Sequence, residues 1–165
     1  MEEVFDPLRK KYVALTPEEN VRQQFIRYLN EKRGWPLHTM MSEVEITLGD
    51  VHLRCDIVCY RKTANIAEEK ITPETIAEKK ISPVMIVECK RPSVKVTTKT
   101  FEQIWHYALI LKVEYIVVTN GVQTFACRYD PEQKKYIFLS DVPAYTKTGH
   151  VPDLHPKPGI GNKKG

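Results

Sequence analysis

The sequence predicts an α/β (α+β mixed) domain built on a mixed central β-sheet flanked by helices. Three observations carry that expectation. Apolar residues recur at helical spacing in two separate stretches. Short alternating or wholly apolar runs lie between and after those stretches. Gly-Asp, Asn-Gly and Asp-Pro pairs punctuate the runs as turns. The resulting order is α-β-β-β-α-β-β-β, which suits one mixed sheet with helices against it.

The first helix is read in TPEENVRQQFIRYLNEKRGWP. Thr16 is placed as N-cap, Pro17 at the first helical position and Glu19 as the carboxylate of a capping box. Val21, Phe25 and Leu29 form its apolar stripe, and Gly34 with Pro36 ends it. In SEVEITLGDVHLRCDIVCY, Val44, Ile46 and Leu48 alternate, Gly49-Asp50 turns, and a longer strand runs back through Asp56 to Tyr60. Residues 61–82 are polar and charged and read as an exposed insertion with a helical turn or two. A strand from Val84 to Lys90 follows. Then TTKTFEQIWHYALILK is a helix, with Phe101, Ile104, Trp105, Ala108 and Leu111 on its core face. EYIVVTNG is a buried strand turning at Asn120-Gly121, and VQTFACRYDPEQKKYIFLS is a hairpin around Asp130-Pro131. Residues 1–145 are expected to form the domain, and 146–165 a flexible, basic, Pro- and Gly-rich tail.

Composition narrows the function classes. With 165 residues, 42% of them hydrophobic and 28% charged, the chain can bury a core without staples. No apolar run reaches bilayer-spanning length, and the acidic start MEEVFD is unlike a signal peptide. A cytoplasmic protein with no membrane partner is therefore expected. Cys55, Cys59, Cys89 and Cys127 form no CxxC pair and have no histidine at ligand spacing. They are expected to be buried free thiols, which argues against zinc. A net charge of +4 permits nucleic-acid binding without demanding it.

The chemistry concentrates in PVMIVECKRP. In a strand, residues two apart share a face, so Glu88 and Lys90 point one way and Cys89 the other. Val84 and Ile86 are expected further back on the Glu88 face, within the core. A carboxylate where the core opens to solvent can hold a hard cation such as magnesium, which prefers oxygen ligands. A nearby amine can orient and help deprotonate a water. One carboxylate makes a poor magnesium site. Asp56 is the second candidate, because an acid inside an apolar strand is costly unless paired or metal-bound. Neighbouring strands would let Asp56 and Glu88 converge on one ion. Each residue also has a plainer reading: a solvated strand end for Glu88 and Lys90, a turn or an Arg54 pair for Asp56, and helix capping for Glu19 and for Thr100 to Gln103. Gln103 and Tyr107 lie one turn apart on a helix face and can touch substrate. Arg91, Lys95 and Lys99 can follow a phosphate backbone or simply face water.

The stretches CDIVCY, PVMIVECKRP and FEQIWHYALILKVEYIVVTNG resemble the PD-(D/E)xK nuclease superfamily. Over residues 6–145 the chain is similar to the N-terminal nuclease domain of type I restriction enzyme R subunits, and to small bacterial proteins built from that domain alone. The resemblance implies a three-layer, restriction-endonuclease-like core and a DNA-cleaving endonuclease. It implies that Asp56 and Glu88 bind Mg (or Mn) and that Lys90 assists the attacking water. Gln103 and Tyr107 fall on a Gln-x-x-x-Tyr pair that supports the site or contacts nucleic acid, and Glu19 falls on a first-helix acid. The expected partners are DNA, a second copy for a double-strand cut, and the motor or specificity subunits of a restriction system. Two departures stand out. The 61–82 insertion separates the two metal-binding strands, and no GxxxxGK[ST] occurs, so no ATP site is expected in this chain. The alternative is a non-cleaving nucleic-acid-binding or complex-forming module on the same fold.

Overall fold

A computed structural model of the chain describes residues 1–61 and 83–145. The expected insertion and tail therefore lie outside the described residues, Arg61 excepted. The chain opens with a hairpin absent from the sequence reading, β1 (Glu3–Asp6) and β2 (Lys11–Ala14), which forms its own two-stranded sheet. Helix α1 (Pro17–Lys32) follows, then β3 (Met40–Leu48), β4 (Val51–Tyr60) and β5 (Pro83–Cys89). Helix α2 (Thr98–Leu111) leads to β6 (Tyr115–Thr119), β7 (Thr124–Asp130) and β8 (Lys135–Phe138).

The six later strands form one sheet in chain order, β3-β4-β5-β6-β7-β8. All its neighbours are antiparallel except β5 and β6. That parallel pair needs a crossover, which α2 supplies. Helix α1 packs on one face, where Val21, Phe25, Ile26 and Leu29 meet Ile57, Met85, Val87 and Val117. Helix α2 covers the other, where Phe101, Ile104 and Ala108 meet Val58, Ile86, Ile116, Val118 and Phe125. The expected mixed sheet between helices is thus a three-layer arrangement. Each large apolar side chain buried in it contributes about 1.5–3 kcal/mol. All four cysteines are free and buried. No helix of the described residues is long and apolar enough to cross a membrane.

Both helix starts differ in detail from expectation. The Thr16 hydroxyl accepts from the Glu19 N–H at 3.0 Å, but the Glu19 carboxylate turns to arginines instead of closing a capping box. Helix α2 is capped at Thr97, whose N–H donates to the Thr100 hydroxyl at 3.3 Å. Thr100 is therefore inside the helix rather than at its cap.

Strict alternation breaks on three strands. On β4, Cys55 faces α2 whereas Ile57, two residues on, faces α1. On β3, Met40 faces α1 whereas Val44, four residues on, faces α2. Both slips fall at one level of the sheet, at Glu43 and Asp56, and the β3–β4 register is the same on either side of them. Glu43 there has φ +53°, in the left-handed region, which a non-glycine residue enters at a cost. On β5, Val84 joins the α1 side while Ile86 joins the α2 side, contrary to the expectation that they share a face. A register shift between Cys59 and Tyr60 sits opposite and accounts for the slip.

Candidate active site

Strands β4 and β5 pair from Tyr60↔Pro83 only as far as Ile57↔Val87. Beyond that point β4 continues with β3 alone, and β5 with β6 alone. Asp56, Glu88 and Lys90 stand at this parting of the strands. Asp56 substitutes for the missing ladder: its Oδ2 accepts the backbone N–H of Cys89 at 2.8 Å. The Lys90 N–H donates to the Thr119 carbonyl at 2.8 Å, which keeps the end of β5 fixed to β6.

Glu88 and Lys90 share a face, as the strand period requires, and both are half-buried. Lys90 Nζ lies 3.3 Å from Glu88 Oε1, while Cys89 between them is buried on the α1 side. Burial pushes the Glu88 carboxyl up to about 7; the nearby Asp56 carboxylate adds to the rise and Lys90 opposes it.

Sequence reasoning missed Arg22. It is buried on α1, one residue past Val21. One terminal nitrogen donates to Asp56 Oδ1 at 2.7 Å and lies 2.5 Å from Glu43 Oε1. The other donates to Glu19 Oε1 at 2.6 Å. Glu18 Oε1 is 3.5 Å away; desolvation of Arg22 is outweighed by Asp56, Glu19 and Glu43, so its proton affinity rises. Glu19 also accepts from Arg9 of the hairpin at 2.7 Å and from Gln23 at 3.1 Å. Arg9 continues to Asp6, which accepts the Ser42 hydroxyl at 3.0 Å. Asp56 thus ends a largely buried chain of alternating charge that runs from the N-terminal hairpin. The only sequence signal is weak: Arg22 lies one turn before Ile26, beside the apolar stripe of α1.

The other expected site residues fall elsewhere. Glu19 contacts Arg22 rather than the triad, so it stands behind the site. Asp56 pairs with Arg22 and not with Arg54, which binds Glu43 at 2.7 Å. Gln103 is exposed on α2, and the side chain of Tyr107 lies outside the described ones. Arg91, Lys95 and Lys99 are all exposed, on the loop after β5 and at the start of α2. Asn120 braces that loop by donating to the Val94 carbonyl at 2.9 Å.

Among the described residues no group of three or more His, Cys, Asp and Glu is disposed to hold a metal ion. The donor set at the triad is two carboxylates, hard oxygen ligands whose mutual repulsion a divalent cation would relieve. That chemistry fits magnesium or manganese carrying several waters.

A family model described as "Type I restriction enzyme R protein N terminus (HSDR_N)" matches residues 17–143. No curated protein matches the chain. Among solved structures, a DUF820 protein from Anabaena variabilis named as a nuclease candidate aligns at a TM-score of 0.47 with 14% identity, over 89% of this chain and 82% of that one.

Proposed function

The chain belongs to the family of the type I restriction enzyme R protein N terminus, and on that premise we propose that it is a metal-dependent endonuclease that hydrolyses the phosphodiester bonds of DNA. The observation that carries this reading is the meeting of Asp56, Glu88 and Lys90 where β4 and β5 part. It is the Asp and Glu-x-Lys set of a PD-(D/E)xK site. Asp56 and Glu88 would hold Mg or Mn, which when bound supplies Lewis-acid stabilisation of the charge developing on the phosphate. Lys90 orients the attacking water from beside Glu88 and adds positive charge next to the scissile group. The water oxygen bonds to phosphorus as the bond to the leaving sugar oxygen breaks, and that oxygen takes up a proton. Arg91, Lys95 and Lys99 draw the DNA backbone toward the site. Within a restriction system, cytoplasmic by this reading, motor or specificity subunits would deliver the DNA, and a second copy would cut the other strand.

The test is Lys90→Ala assayed on DNA with magnesium. Cleavage is expected to fall by about 100-fold or more, with Mn2+ binding and thermal stability retained. Undiminished cutting would sink the assignment. One observation favours the non-cleaving alternative: both oxygens of Asp56 already have partners, Arg22 and the Cys89 N–H. A native protein that binds DNA but neither takes up Mn2+ nor cuts would establish that alternative.

A further inference from the structure

We propose that Arg22 is a positioning residue of this site, holding Asp56 in the orientation in which it receives the divalent cation. The inference rests on the nuclease reading above and extends it to a residue outside the triad.

Coulomb's law by itself argues the other way. A guanidinium 2.7 Å from Asp56 repels an incoming cation, so charge alone predicts tighter metal binding once it is removed. The surroundings reverse the sign. Arg22 is the only cation within 4 Å of Asp56 among the described residues, whereas Glu19 also has Arg9 and Glu43 also has Arg54. Without Arg22, Asp56 is left buried beside Glu88 and Glu43 with one backbone N–H. Mutual repulsion then turns the carboxylate away, which removes a metal ligand. The planar fork of arginine also matters: one terminal nitrogen takes Glu19 while the other takes Asp56 and Glu43, which ties α1 to β3 and β4. Lysine, a point charge, cannot span them together.

Removing the partner that orients a metal ligand typically weakens metal binding by about 10- to 100-fold. Mn2+ alone is titrated into native protein, Arg22→Met and Arg22→Lys, with thermal melts in chelator to establish folding. The expected result is Mn2+ affinity about 10-fold weaker or worse in Arg22→Met and intermediate in Arg22→Lys. On DNA, kcat should fall with KM unchanged. Mn2+ bound by folded Arg22→Met as tightly as by native protein, or more tightly, overturns the proposal. If Arg22→Met does not fold, unchanged affinity in Arg22→Lys overturns it equally. Native protein that takes up no Mn2+ removes the nuclease reading and this inference with it.

Discussion

The two faces of the sheet are built on different principles. Against α2 the contacts are aromatic and aliphatic: Phe101 packs edge-on to Phe125 and Phe138, and Trp105 to Tyr136. Against α1 an apolar floor of Phe25, Ile26 and Leu29 gives way, at one end, to Arg22, Glu19, Asp56 and Glu43 in contact. Buried ion pairs of this kind contribute little net stability relative to apolar packing, yet breaking one is costly. Both faces carry an apolar core, but only the α1 face gives up part of its packing surface to buried charge around Asp56.

The largest expected effect tests that division directly. Phe101→Ala removes a ring from the α2 face and should cost about 3–5 kcal/mol of stability, read as a lower denaturant midpoint. Mn2+ affinity of the folded protein should not change. A shift in affinity as large as that from Arg22→Met would show that the two faces are not separable.

A smaller effect comes from pH. The raised Glu88 carboxyl takes a proton in the folded state up to about 7, whereas an ordinary glutamate does so near 4.5. The native state binds the extra proton between those values, so this contribution to stability is lost as pH rises through the window. In chelator, Glu88→Gln should flatten the fall in melting temperature between pH 5 and pH 7.5, a range set by those two values. Parallel curves for the two proteins would refute the assignment of the shift to Glu88. The smallest effect belongs to the start of α1. Thr16→Ala leaves the Glu19 N–H without its hydroxyl partner and should cost about 1 kcal/mol. A markedly larger loss, accompanied by weaker Mn2+ binding, would mean that the helix start also aligns Arg22.

These asymmetries were partly legible beforehand. Both helices, the β3–β4 and β7–β8 hairpins and the Asp56, Glu88, Lys90 set follow from periodicity, turn pairs and the cost of an acid in an apolar strand. The N-terminal hairpin did not, because EVFD and KYVA are too short and too exposed to show a pattern. Arg22 was hidden because an arginine beside an apolar stripe ordinarily faces water. Its burial depends on acids distant in sequence, Asp56 and Glu43. The slip at Glu43 and Asp56 was invisible for a related reason. A period of two assigns every second residue to one face, whereas the left-handed Glu43 marks a point where consecutive residues turn the same way. By strict alternation Asp56 would lie with Val58 on the α2 face, out of reach of Arg22. The residue most important to place is the one where the simple rule fails.

The segment that follows β8 packs against the α1 side of the sheet. Trp35 is buried, donates its indole N–H to the Pro143 carbonyl at 2.9 Å, and packs at 5.3 Å against the Tyr145 ring, tilted 58° to it. The other of the protein's two tryptophans, Trp105, lies on α2. Each layer therefore carries its own intrinsic fluorophore. Emission from one reports whether the closing segment still seals the α1 side, and emission from the other reports on the opposite core. Loosening of either half can be followed optically, without any label.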